Sequence, residues 1–244
     1  MRIIINGAGG RMGKALTSMV EKGVRGAELA GSVDPFAQGG GIVPTLEAYT
    51  EEADIIIDFS NHTCTRALTQ YAVSRNLPLV VCTTGHTEEE LALIREAAKA
   101  VPVFHSGNMS LGIALLTELA RQTAAMFPDA DIEIVEAHHN QKLDVPSGTA
   151  LMLAQAVQEA RPEAIPLVGR RENGKRTRQE VGIHSLRMGN TVGIHEVIVN
   201  TGTQIITLKH EAQDRALFAE GALAAAQFLI GKTPGLYTMK DIVK

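Results

Sequence analysis

The chain has 244 residues, 45% of them hydrophobic and 20% charged, with 23 basic against 27 acidic side chains and a formal net charge of −4. That composition excludes a disordered chain and leaves enough apolar mass for one large or two modest domains, of which two is the expectation. The acidic balance, a pI near 6.1 and the lack of any apolar run long enough to span a bilayer argue against a nucleic-acid or membrane partner and for a small solute.

The first residues, MRIIINGAGG, lack the long apolar stretch and small-residue cleavage site of a signal peptide, so a cytoplasmic location is expected. RIIIN (2–6), ELAGSV (28–33), DIIIDFS (54–60), LPLVVCT (77–83) and VPVFHS (101–106) are strand candidates alternating with helical segments, the order of a parallel sheet with crossover helices. The apolar ones lack strict alternation, as strands covered on both faces do. Cys64 and Cys82 make no disulfide framework and stand in no zinc-ligand spacing, so both are expected to be reduced. Thr87 followed by Glu90 forms a capping box, which starts a helix at LALIREAAKA with its first N–H groups satisfied.

Past Asn108 the rhythm changes. LGIALLTELARQTAAMF (111–127) has helical apolar spacing and stops before Pro128, DIEIVEAHH (131–139) alternates as a strand, and a second helix is predicted from about Thr149 to Ala160. GRRENGKRTR (169–178) is expected to be a solvated loop, since no aromatics interleave its basic residues. GIHSLR, VGIHEVIVN and TQIITLKH then read as three strands joined by hairpin-type turns, and ALFAEGALAAAQFLI as a closing amphipathic helix that returns to the first half.

NGAGGRMGKAL follows the first strand directly and opens a helix, the context in which a glycine motif has physical meaning. Glycine permits a tight turn and close approach of backbone to a pyrophosphate, and a helix N-terminus supplies N–H donors to the anion. Gly7, Gly10 and Gly13 form a spaced variant of the dinucleotide fingerprint, with Gly9 between them and Met12 where the common pattern has glycine. Asp34, at the end of the second strand, stands about where the acid that binds a ribose 2′-hydroxyl is expected. Pro35 after it, in place of an Arg, leans toward NADH, while Arg11 leaves NADPH open. The fold class is therefore α/β: a Rossmann-like parallel-sheet dinucleotide-binding domain over residues 1–108 and 214–244, and a second α+β domain with a mixed or antiparallel sheet over residues 109–213.

EAHHNQKLDVPSGTA, residues 136–150, crowds polar chemistry at the end of the DIEIVEAHH strand. Neighbouring strand residues face opposite ways, so His138 and His139 make a poor start to one metal site, nothing nearby completes it, and no metal is predicted. Ser147, Gly148 and Thr149 lead into a helix whose N–H groups could cradle a carboxylate or simply receive a side-chain cap; the two jobs can share one backbone. Histidine beside Lys142 and an enclosed anion provides acid/base groups at neutral pH. His62, His86, His105, His184, His195 and His210 stand singly and receive no role.

With GAGGRMG, CTTG at 82–85, SGNMSLG at 106–112 and EAHHNQKLDVPSGTA in this order, the chain resembles the 4-hydroxy-tetrahydrodipicolinate reductases, also called dihydrodipicolinate reductases, over nearly its whole length. The resemblance implies NADH or NADPH as reductant of a cyclic imine dicarboxylate on the diaminopimelate route to lysine. By it, Gly7, Ala8, Gly9, Gly10, Arg11 and Met12 would wrap the pyrophosphate and Asp34 would hold the adenosine ribose. Cys82, Thr83 and Thr84, with Ser106, Gly107, Asn108 and Met109, would line the nicotinamide side; Cys82 stands where the family often has glycine. His138 would act as acid/base residue, Lys142 as proton donor, and His139 with Ser147, Gly148 and Thr149 would bind substrate carboxylate. The resemblance also implies a homotetramer joined through the second domain's sheet and hinges near Asn108 and Asp214. The alternatives are a reductase of another substrate on the same plan, and a non-catalytic nucleotide sensor, which would need the cofactor site but not the His and Lys cluster.

Overall fold

Three consecutive isoleucines form the middle of β1 (Arg2–Asn6), and all three are fully buried. Successive side chains on a strand leave by opposite faces, so such a run requires cover on both sides of its sheet. The computed structural model describes residues 1–37 and 39–243. From β1 the chain runs through α1 (Arg11–Glu21), β2 (Glu28–Val33), β3 (Ile42–Val43), β4 (Ile55–Asp58), α2 (Thr65–Ser74), β5 (Leu79–Val81), α3 (Glu88–Ala97) and β6 (Pro102–His105). It continues through α4 (Leu111–Met126), β7 (Asp131–His138), α5 (Gly148–Ala160), β8 (Ile165–Val168), β9 (Glu180–Arg187), β10 (Gly193–Asn200) and β11 (Ile205–Ala212). It ends with α6 (Ala216–Leu229), β12 (Gly235–Tyr237) and α7 (Met239–Ile242). The chain divides into two units, Met1–Ser110 with Ala216–Lys244, and Leu111–Arg215.

Among its described residues the first unit holds a seven-stranded sheet in the order β12-β6-β5-β4-β1-β2-β3, parallel at every junction. Ile4, Ile56, Leu79 and Val81 pack on one face with Leu68 and Ala72 of α2 and with Ile94 and Ala97 of α3. α3 begins at the predicted capping box, with Thr87 Oγ1 accepting from Glu90 N–H at 3.3 Å and Glu90 Oε2 accepting from Thr87 N–H at 2.8 Å. α1 and α6 lie against each other, and α6 packs on β5 and β6. The strand order reverses at β1, which opens a crevice at the carboxyl ends of β1 and β4, where open α/β sheets bind their ligands.

The second unit has a five-stranded sheet in the order β11-β10-β7-β9-β8. Ile132 and Ile134 of β7, Val181 and Ile183 of β9 and Val197 and Val199 of β10 bury one face against Leu116 and Ala120 of α4 and Leu153 and Val157 of α5. The opposite face carries Glu133, whose carboxylate meets His184 at 2.8 Å and Arg176 at 2.7 Å.

The expected chain of hairpins holds for β10 and β11 only. β7 lies between β9 and β10, pairing with the first in parallel and the second antiparallel. β3, β8 and β12 carry too little pattern to be read from sequence: β3 is two residues long, β12 three, and β8 is an exposed edge strand containing Pro166. The basic loop is solvated as expected, with every residue from 169 to 178 exposed except Gly169 and Arg176. Arg176 reaches Asp131 and Glu133, both at 2.7 Å, Arg170 reaches Glu180 at 3.2 Å, and Arg178 pairs with Asp129.

Candidate active site

In the first unit the turn after β1 is set by Gly7, whose φ of +82° suits glycine and whose Cα faces the Phe59 carbonyl so closely that a Cβ would lie 2.6 Å from it. The loop is pinned to β2 by Gly7 N–H and Ala8 N–H, both donating to the Val33 carbonyl, at 2.8 and 3.1 Å. A Cβ at Gly13 would strike the Gly7 carbonyl, so glycine there lets α1 start against its own turn. Gly7, Gly9, Gly10 and Asp34, with Pro35, Phe36, Ala37 and Cys64, line a cleft of about 360 Å³. Arg11, Met12, Cys82, Thr83 and Thr84, with His62, line a second cleft of about 450 Å³, and Phe59, Ser60 and Asn61 wall both. Ser106, Gly107, Asn108 and Met109 line neither. Gly107 lies against Thr84, Ser106 Oγ donates to the Asn108 carbonyl at 2.7 Å, and Met109 is buried with its carbonyl against Gly221.

Asp34 accepts from Gly9 N–H at 3.0 Å and Phe36 N–H at 2.8 Å, one bond to each oxygen, so each keeps a lone pair for a further donor. A bare-backbone turn at a helix N-terminus, a second-strand carboxylate and two adjoining clefts fit a nicotinamide dinucleotide.

Asp58 was not singled out by sequence reasoning. It ends β4 at 1% exposure and ties together the carboxyl ends of three strands. Its carboxylate accepts from Asn6 Nδ2 at 2.7 Å, Ser60 Oγ at 2.5 Å and Thr83 Oγ1 at 2.6 Å. Burial raises its pKa, and the donors from Ser60, Thr83 and Asn6 act against that rise. The available signal was an acid closing the apolar run IIID at a strand's carboxyl end. Asp58→Ala is expected to raise the dissociation constant of NADH ~10-fold, since three donors at the carboxyl ends of the strands lose their partner. Asp58→Asn, which keeps an acceptor and a partner for Thr83, should recover most of it, as a cofactor titration would show.

In the second unit Glu136, fully buried, sits in step with Ile132 and Ile134 on the covered face of β7. Arg187 at the end of β9 grips it bidentately, both bonds at 2.9 Å, His138 Nδ1 lies 2.6 Å from Oε2, and Ser147 N–H donates to Oε1 at 3.1 Å. Burial alone would raise the Glu136 carboxyl, but the hydrogen bonds from Arg187, His138 and Ser147 outweigh it and hold its pKa at about 2. The His138 pKa is lowered, by burial first and by the charges of Lys142 and Arg187, with Glu136 pulling the other way. At neutral pH the ring is therefore neutral. Its Nδ1 proton goes to Glu136, which leaves the Nε2 lone pair outward.

Lys142 pairs with Asp144 at 2.9 Å, and the Asp144 carbonyl accepts from Arg187 Nη2 at 2.6 Å, so the loop after β7 is tied to the same arginine. Ser147, not Thr149, caps α5: its Oγ accepts from Ala150 N–H at 3.2 Å, and the helix begins at Gly148, one residue before the prediction. A Cβ at Gly148 would meet nothing within 4 Å, so the α5 entrance is open on that side. His139 lies just past the strand, half-buried, with Nε2 at 3.4 Å from Arg215. His138, Lys142, Ser147 and Gly148 are thus gathered in one neighbourhood of the second unit.

Glu136, Arg187 and His195 belong to this neighbourhood and were missed by sequence reasoning. The period-2 register of β7 could have revealed Glu136 as an acid on a buried face. Arg187 and His195 come from β9 and β10, and no local spacing announces them. Among the described residues no cluster of His, Cys, Asp and Glu could hold a metal ion, and no helix is long and apolar enough to cross a membrane.

Residues 1–109 match the model of the family described as dihydrodipicolinate reductase, N-terminus, and residues 112–243 that of dihydrodipicolinate reductase, C-terminus. A 4-hydroxy-tetrahydrodipicolinate reductase of Caldanaerobacter subterraneus subsp. tengcongensis is 44% identical, covering 100% of this chain and 98% of its own. One of Clostridium novyi is 42% identical with the same coverage. The solved structure of a dipicolinate-bound dihydrodipicolinate reductase from a Paenisporosarcina species superposes with a TM-score of 0.84 at 26% identity, covering 99% of both chains. Two matched family halves and full-length relatives at this identity establish that the chain belongs to the dihydrodipicolinate reductase family.

Proposed function

We propose that this protein reduces 4-hydroxy-tetrahydrodipicolinate to tetrahydrodipicolinate with NADH or NADPH, on the diaminopimelate route to lysine. The stoichiometry is one ring substrate, one reduced nicotinamide and one proton in, and tetrahydrodipicolinate, oxidised nicotinamide and water out. The observation that carries the assignment is the end of β7, where an oriented imidazole, a lysine and an open helix entrance converge beside a buried carboxylate. A sensor would need none of these. The Paenisporosarcina relative holds a pyridine dicarboxylate, the same anionic class.

The first unit serves as the dinucleotide-binding domain, with Gly7 to Met12 at the pyrophosphate, Asp34 at the adenosine ribose, and Cys82 to Thr84 with Ser106 to Met109 on the nicotinamide side. Loss of the 4-hydroxyl as water leaves the ring a conjugated imine, and the cofactor, when bound, would supply a hydride to its C4. The second unit binds the dicarboxylate through His139, Ser147, Gly148 and Thr149 at the α5 entrance, where the N–H groups and helix dipole favour an anion. Lys142 delivers the proton that completes reduction, and His138, held by Glu136, presents Nε2 as the acid/base partner. The second unit also joins subunits into a homotetramer through its sheet, whose β8 edge exposes Ile165, Leu167 and Val168; light scattering tests this. Consumption of reduced nicotinamide in lysine synthesis supports a cytoplasmic location.

A 2′-phosphate on Asp34 would meet like charge in a cleft lined by no lysine or arginine among its described residues, so NADH is the preferred reductant. The test is titration of both cofactors with and without pyridine-2,6-dicarboxylate, followed by turnover on the ring substrate. KM for NADPH is expected ~10-fold above that for NADH, and Asp34→Ser should narrow the gap. Binding of NADH without turnover would overturn the assignment in favour of the sensor.

A further inference from the structure

His195 lies in the middle of the second unit's site at 4% exposure, although it stands singly in the sequence. Its cross-strand neighbours on β10's two sides are Glu136 of β7 and His210 of β11. Its ring is 5.1 Å from that of His138, edge to face, and its Nε2 is 3.2 Å from Ser147 Oγ. Gly193 leaves room for this pairing: a Cβ there would lie 3.2 Å from His138 Nε2 and 3.7 Å from His195 Cε1.

The protons at Ser147 can be counted. A serine hydroxyl has one hydrogen and two lone pairs. One lone pair of Ser147 Oγ receives Ala150 N–H, the helix cap. The remaining hydrogen and lone pair are shared between His195 Nε2 and the α5 entrance. If Nε2 is bare it takes the Ser147 hydrogen, and a lone pair faces an incoming carboxylate. If Nε2 carries a proton it fills the lone pair, and the Ser147 hydrogen faces the carboxylate instead. The tautomer of one buried ring thus sets whether Ser147 repels or binds the anion.

The ring's other nitrogen decides between them. His195 Nδ1 is buried with no hydrogen-bond partner among the described residues. Placing the proton there would bury an unmatched N–H next to a hydroxyl pressed into the wrong orientation. Placing it on Nε2 leaves only an acceptor unmatched and satisfies Ser147 on every side. Burial, with His138, His210 and Lys142 adding to it and Glu136 opposing, holds the His195 pKa at about 4, so the ring has a single proton to place at neutral pH.

We propose that His195 is a positioning residue for substrate binding: it donates from Nε2 to Ser147 Oγ and so aims the Ser147 hydroxyl hydrogen at a substrate carboxylate. This rests on the assignment of a dicarboxylate to the α5 entrance. The ligand it tunes is an anionic ring bearing carboxylates, and the cofactor clefts of the first unit are untouched.

The test compares His195→Leu, which removes the donor, with His195→Gln, whose amide nitrogen can occupy the place of Nε2. The dissociation constant of pyridine-2,6-dicarboxylate is expected to rise ~10-fold or more in His195→Leu, with NADH affinity unchanged, and to recover largely in His195→Gln. Nitrogen-15 spectra of the wild-type protein should show the His195 proton on Nε2, a readout that needs no variant to fold. A proton on Nδ1, or unchanged dicarboxylate affinity in a folded His195→Leu protein, overturns the proposal while leaving the reductase assignment in place. Wild-type protein that turns over the ring substrate but binds no dicarboxylate at Ser147 overturns the proposal and the placement of the substrate together.

Discussion

Lys142→Ala is expected to lower kcat by roughly 10²-fold or more while KM for the reduced cofactor stays close to wild type. Hydride transfer leaves the ring electron-rich, and the reaction completes only when a proton arrives. Two acid/base groups stand near the end of β7, and they differ in whether they have a proton to give. His138 is neutral at neutral pH, because burial lowers its pKa, and its one proton is committed to Glu136 through Nδ1 at 2.6 Å. Its outward nitrogen is therefore an acceptor before the reaction begins. Lys142, paired with Asp144 at 2.9 Å, is a cation with protons to give. Lys142→Arg separates charge from proton transfer, since guanidinium keeps its proton at any working pH. It should restore KM for the dicarboxylate toward wild type and leave kcat low. A Lys142→Arg protein with near-wild-type kcat would show that the lysine contributes only charge.

The sites divide sharply in how far local sequence announces them. GAGGRMG, Asp34 and EAHH…K…PSGT could be read because each is a contiguous stretch whose chemistry and local geometry go together: a turn, a strand end, a helix entrance. The parallel order of the first sheet was legible for the same reason, since Ile-rich runs such as IIID can be buried only between two layers. The second sheet was misread where pairing is not local. The turn signals between β9 and β10 are genuine, but β7 enters between them, and no property of those turns encodes a strand forty residues upstream. Arg187 and His195 were lost with it, because their partners, Glu136 and Ser147, are defined only by that register. Asp58 and Glu136 are a different case. Each is an acid in a position where period and burial predict an apolar residue, and that mismatch is itself a signal of a polar network.

Glu136→Gln is the second substitution with a large expected effect, on stability as well as on rate. In the wild-type protein the fully buried carboxylate neutralises Arg187, whose side chain is 18% exposed, and accepts from His138 and Ser147 besides. Removing its charge leaves the guanidinium largely buried without a counter-charge, which costs roughly 3–5 kcal/mol. The pH dependence provides an independent check. The folded-state pKa of about 2 lies below the ordinary value of 4.5, so ionised Glu136 contributes stability that is fully present above about pH 4.5 and is lost as pH falls through about 2. The shift corresponds to ~3 kcal/mol by linkage. Glutamine does not titrate. Urea melts of both proteins from near-neutral pH down to about pH 3 should therefore show a large, constant gap at the upper end that narrows in acid. The amide also presents N–H where His138 needs an acceptor, or turns its oxygen from Arg187 to provide one, so the ring loses its fixed tautomer and kcat should fall ~10-fold or more. A gap that persists undiminished in acid would mean that Glu136 matters for its shape alone and that the charge holding His138 in place resides elsewhere.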